Sequence, residues 1–150
     1  MGLDMYLSAK RYLSDYREDE KEVKDAIEKV DGLCNFGMQV KEVSCEAMYW
    51  RKANAIHAWF VKHCQDGVDE CQETYVSLEQ LKQLRDVCDE VIRDNSKAAT
   101  LLPPQAGFFF GSTDVDEYYI QDLVATREAL DRILDNEDNN RWDYYYQSSW

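Results

Sequence analysis

The stretch from Tyr49 to Cys64, YWRKANAIHAWFVKHC, constrains the chain more than any other. Its apolar residues recur at helical spacing, which predicts one helix over residues 49–64. On that helix Trp50, Ala53, Asn54, His57, Phe60, Val61 and Cys64 share one face, with Arg51, Ala55, Ala58 and Lys62 opposite. Asn54 and His57 therefore fall among aromatics, where an unpaired polar group costs about 1–3 kcal/mol. Either they satisfy buried backbone groups or they line a pocket. Arg51 and Lys52 at the start of such a helix oppose its dipole, so a local carboxylate or an anionic ligand is expected beside them.

Around this stretch the chain reads as one domain, residues 1–150, of α+β class: three or four helices packed on a small antiparallel sheet that includes both termini. Leu3, Met5 and Leu7 alternate with Asp4, Tyr6 and Ser8 at the period of a half-buried strand. A charged helix follows over 14–30, with Ser14 as its cap and a narrow apolar face of Tyr16, Val23, Ile27 and Val30, stopped at Asp31-Gly32. A short irregular strand is expected between Cys34 and Ser44. Asp66-Gly67 marks a turn, and Thr74-Tyr75-Val76 a short strand.

Ser77 and Gln80 form a capping box that opens a helix with the stripe Leu81, Leu84, Val87, Cys88, Val91 and Ile92, ending near Asp94-Asn95. Residues 96–111 read as the long break in the pattern, Pro- and Gly-framed around Phe108, Phe109 and Phe110, which are expected to fold over the core or line a pocket. Ser112 or Thr113 is expected to cap a last helix over about 114–136. The closing WDYYYQSSW places Trp142, Tyr144, Tyr146, Ser148 and Trp150 on one face of a strand that pairs with the first.

The net charge of −13 sits in two segments: residues 65–95 hold nine acids against three bases, and 112–150 ten against three. Such a field repels nucleic acid and anionic membrane, and either attracts a basic partner or keeps the protein dissolved. Five cysteines without CxxC spacing fit reduced thiols, and Asp4 interrupts the apolar N-terminal run, so a cytoplasmic protein without signal peptide or membrane span is expected. No phosphate-loop or dinucleotide fingerprint occurs, and Asp114, Asp116 and Glu117 make ordinary capping the better account of Gly111-Ser112-Thr113 than a phosphate site. Neither His57, His63, Cys64 and Cys71 nor Asp66, Asp69, Glu70 and Glu73 has the spacing of a zinc or calcium site, so no metal and no cofactor is expected. Cys64 beside His57 or His63 makes a weak nucleophile pair with no third orienting group.

The strings MGLDMYL, YWRKANAIHAWFV, QDGVDEC, FFFGSTDVDEYY and YYYQSSW together resemble a family of small uncharacterised proteins from bacteriophages, prophages and bacterial genomes. That resemblance implies an accessory gene product of the bacterial cytoplasm and carries no activity with it. Residues 14–44 match least and read as a local elaboration.

Three functions follow as expectations. The first is a non-catalytic binding module for a small ligand or peptide, with Trp50, Arg51, Asn54, His57, Phe109, Ser112, Tyr119, Tyr146 and Gln147 as its site, built from the central helix, the Phe108–Ser112 loop and the C-terminal strand. The second is an acidic inhibitor, of DNA-mimic or anti-defence type, that occupies a basic host protein. The third is an enzyme using His57 as acid–base, supported by Asp66 or Asp116.

Overall fold

The computed structural model describes residues 2–150. Four strands, β1 (Asp4–Tyr12), β2 (Glu42–Arg51), β3 (Thr74–Val76) and β4 (Asp143–Ser149), form one antiparallel sheet in the order β2-β1-β4-β3. The two terminal strands are neighbours at its centre, as their alternation predicts. Leu3, Met5, Leu7, Trp50, Val76, Tyr144 and Tyr146 turn to one face and are buried. Against them lie α2 (Asn54–Cys64), α3 (Leu78–Arg93) and α5 (Glu117–Leu134), whose Ile56, Phe60, Leu81, Leu84, Leu123 and Leu130 complete the core. None of the helices is long and apolar enough to cross a membrane.

The α+β class and the sheet with both termini stand, but the helix count of three or four does not: among the described residues there are five α-helices. Besides α1 (Glu18–Glu28), the addition is α4 (Ala98–Leu101), a single turn inside the stretch that reads as unbroken loop. Burial of Ala98 and Leu102 gives this turn its reason to form, and Leu102 N–H closes it on the Ala98 carbonyl.

The predicted helix over 49–64 is in fact strand, turn and helix. Tyr49, Trp50 and Arg51 belong to β2, paired with Tyr6, Met5 and Asp4, and the Tyr6 and Tyr49 rings meet 5.4 Å apart across the strands. Cross-strand aromatic pairing and a full ladder outweigh local helical spacing here. Lys52, at φ +58°, turns the chain, and α2 starts only at Asn54. Arg51 and Lys52 therefore precede the helix, and the two-faced division fails because Asn54, Ala55, Ile56, His57, Trp59 and Phe60 are all buried.

Residues 14–41 form an arm whose packing is the reverse of its pattern. Tyr16, Val23 and Val30 are exposed, while Glu20 and Lys24 are buried. The Glu20 carboxylate accepts from Arg141 and from the Ser14 backbone N–H, and Lys24 pairs with Asp15. Four apolar residues are too few to compete with that ionic anchoring, so the charged face turns inward. Ser14 does not cap α1, whose cap position is Arg17. The capping box of Ser77 and Gln80 forms as expected, whereas α5 is capped by Asp116 and not by Ser112 or Thr113.

Candidate functional site

Three segments distant in sequence meet around α2. The loop 105–112 is held to its first residue, Asn54, whose Nδ2 donates to the carbonyls of Phe110 (3.0 Å) and Ser112 (2.8 Å) while its Oδ1 accepts from the Gln105 N–H (2.9 Å). A side chain that could have bonded water saturates itself on backbone instead. Gly111, at φ +87°, lets this loop pass Lys52 so closely that a Cβ there would lie 3.2 Å from the lysine's own Cβ. The same loop extends the sheet's end, where Leu3 N–H donates to the Phe109 carbonyl.

One turn along α2, His57 is 1 % exposed and bonded through both ring nitrogens. Nδ1 lies 2.6 Å from the Tyr146 hydroxyl, and Nε2 lies 2.9 Å from Asp69 Oδ2. A carboxylate only accepts, so Nε2 carries the proton and Nδ1 accepts from the tyrosine. The chain runs Tyr146 to His57 to Asp69, and the other carboxylate oxygen accepts from Trp150 Nε1 at 3.1 Å. Burial, then the neighbouring Asp69 charge, push the Tyr146 hydroxyl well above its ordinary range, which keeps it a neutral donor. Its ring stacks on Phe60 at 4.0 Å, and Phe110 sets its edge on His57 at 5.1 Å. Trp50, Trp59, Phe60, His57 and Tyr146 thus form one buried polar and aromatic cluster.

Two cavities flank the clamped loop. The larger, about 660 Å³, is lined by His57, Trp59, Asp66, Asp69, Leu102 and Phe110, among others. The smaller, about 320 Å³, lies between the β2–α2 turn and the start of α5, with Arg51, Lys52, Asn54, Ser112, Asp116 and Asp122 in its wall.

The sequence-predicted residues divide among these places. His57 lines the larger cavity; Arg51, Asn54, Ser112 and Tyr119 line the smaller. Tyr119 also closes the core, donating its hydroxyl to the Leu102 carbonyl at 2.7 Å, and burial pushes that hydroxyl up to about 12. Trp50 lines neither cavity; its Nε1 donates to Thr126 Oγ1 on α5 at 2.7 Å. Tyr146 reaches the larger cavity only through His57. Gln147, its neighbour on β4, faces the other side of the sheet and donates to the Cys71 carbonyl.

The phenylalanine loop is less buried than expected. Phe108 is 94 % exposed and packs only on the edge of Phe109, while Phe110 alone reaches the core. Backbone bonds hold this loop, so its rings need no burial to fix it.

Asp122 is the residue that sequence reasoning passed over, and Asp69 entered it only within a carboxylate set that lacks calcium-site spacing. A signal for Asp69 existed: the Asp66-Gly67 reversal, just beyond the end of α2, brings the following residues back over its last turns. Asp116, set beside His57 in the enzyme reading, instead accepts from the Tyr119 N–H as the α5 cap. Cys64 is pushed up to about 12 by burial, the wrong direction for a nucleophile. Among the described residues no group of three or more His, Cys, Asp or Glu could hold a metal ion.

No protein-family model, curated protein or solved structure matches the chain. Function has to be read from the chemistry of these two cavities.

Proposed function

We propose that the protein is a non-catalytic binding module whose principal site is the cavity beside His57, taking a small ligand or the end of a peptide. The observation that carries this reading is the state of Asp69. Its carboxylate is a quarter exposed at the cavity wall, and two ring N–H donors, the buried His57 and the partly exposed Trp150, aim and hold it. A carboxylate oriented by such donors keeps lone pairs for a ligand and loses little rotamer freedom when one arrives. Leu102, Pro103 and Phe110 supply the apolar surface beside it. A ligand with an amine, amide or hydroxyl donor next to a compact apolar body fits that pairing. The resemblance to phage and prophage proteins supports placing such a module among accessory products of a bacterial cell.

The other readings draw less support. For acid–base catalysis a substrate would have to displace Tyr146 or Asp69 from His57, because neither ring nitrogen is free. For an acidic inhibitor the carboxylates should stand unpaired in a stripe. On α3 they are shared with the chain's own cations: Asp89 with Arg93 and Arg127, Glu90 with Lys97.

The test is native mass spectrometry of the protein purified from its host under gentle conditions, with Asp69→Ala prepared in parallel. A small-molecule adduct on the wild type that is absent from Asp69→Ala is the expected result. No adduct, together with no stabilisation in a thermal screen of amine- and hydroxyl-bearing metabolites, sinks the proposal.

A further inference from the structure

The smaller cavity carries charges of both signs that do not touch. On the wall at the end of β2 stand Arg51 and Lys52, neither within ion-pair distance of any carboxylate among the described residues. On the opposite wall, on α5, stands Asp122. It is half-buried, and among the described residues no hydrogen bond or ion pair reaches its carboxylate. Desolvation, with the charge of Asp116 adding to it, lifts its carboxyl to about 6. Had either cation reached across the cavity, it would have pulled that value down. The structure therefore keeps a cationic and an anionic wall apart, with about 320 Å³ between them.

The cationic wall is reinforced by backbone. α2 has no side-chain cap and no acidic residue in its first turn, although Ala55 and Ile56 are nearly fully buried. The four residues Ala53–Ile56 line this cavity. Uncapped helix N–H groups and two cations form a place for an anion, and the Asp122–Asp116 repulsion marks a place for a cation. Neither pole alone explains the other.

We propose that this second cavity binds a small zwitterion of the size of a free α-amino acid, its carboxylate toward Arg51 and Lys52 and its ammonium toward Asp122. Ligand charge then replaces the missing ion pair on each wall at once. An anion alone leaves Asp122 and Asp116 facing each other, and a metal ion alone leaves the two basic side chains without a partner. The cavity volume lies at the small end of the range for ligand sites, which accommodates a single amino acid.

The experiment is ligand-observed NMR followed by calorimetry, at a pH well above that of the Asp122 carboxyl, with the standard L-amino acids as probes. Each binder is re-tested as its N-acetyl derivative and as its decarboxylated amine, and calcium and magnesium are tested alone. At least one amino acid should bind, and loss of either charged group should weaken it about tenfold or more. Asp122→Asn and Arg51→Gln should each weaken it by a similar factor. Circular-dichroism melting of each variant separates lost binding from lost folding. The proposal is overturned if no amino acid binds at about 10 mM. It is equally overturned if the N-acetyl derivative binds as well as its parent, if only the divalent ions bind, or if Asp122→Asn binds as well as the wild type.

Discussion

Two cavities share the 105–112 loop as a wall, and they treat their polar groups in opposite ways. In the larger one, His57, Tyr146, Trp150 and Asp69 form a closed chain of hydrogen bonds in which each ring has its partner. In the smaller one, Arg51, Lys52 and Asp122 stand in the wall with no ion pair between them. A satisfied buried network stabilises the fold and fixes a single geometry. Unpaired charges held apart do the reverse: they cost stability in the free protein and regain it when a ligand arrives. The two walls of one loop therefore separate a site defined by rigidity from a site defined by what is missing.

The sharpest way to break this comparison is to remove the centre of the satisfied network. His57→Ala strands the Tyr146 hydroxyl and leaves Asp69 one donor short, in addition to opening a cavity beneath Phe110. A loss of about 3–5 kcal/mol is expected, read as a lowered urea midpoint. A loss below about 1 kcal/mol would mean that the network is ornamental and that the contrast with the smaller cavity has no energetic content.

A smaller loss is expected where the two cavities meet. Asn54→Ala deletes three hydrogen bonds to loop backbone, and the carbonyls of Phe110 and Ser112 can recover water that His57's partners cannot. About 1–3 kcal/mol is expected. Hydrogen exchange should rise across residues 105–112, while the core of α2 stays protected. Protection that is lost equally in α3 would show that the loop is an integral part of the core and not a clamped wall.

Much of this molecule is readable from its residues, and the failures have a common cause. The alternation of Leu3, Met5 and Leu7, the capping box at Ser77 and the turn at Asp66-Gly67 are local signals, and each appears where its pattern places it. The helix over 49–64 fails at its first five residues, and at Tyr49, Trp50 and Arg51 because ladder bonds to β1 are not local: nothing in YWR announces Met5 and Asp4 as partners. The arm fails for the same reason, since Glu20 is buried by Arg141, 121 positions away. For the site, His57 and Asn54 stand out as polar residues among aromatics, but which groups satisfy them does not. Asp122 gives no sign at all in the sequence, because its anomaly is the lack of a partner.

The smallest expected effect has the opposite sign from the other two and tests the smaller cavity directly. Asp122 binds its proton more tightly in the folded protein, near 6, than the ordinary carboxyl value of 3.8. The contribution of Asp122 to stability therefore falls as pH rises from about 4 through 6, as folding must hold a charge that the unfolded chain holds more easily. Below about 4 the side chain is protonated in both states and the penalty vanishes. Asp122→Asn removes the charge, so it should stabilise the protein at neutral pH and make no difference in acid. With the side chain only half-buried, solvent screening trims the gain to about 1 kcal/mol. Urea unfolding of wild type and variant at several pH values measures it. If stability rises at neutral pH while amino-acid binding falls, one carboxylate is both the weak point of the free fold and the ammonium-binding group of the site. If the difference in stability between wild type and variant does not change between acid and neutral pH, Asp122 is not held apart from a counter-charge, and the contrast between the two cavities collapses.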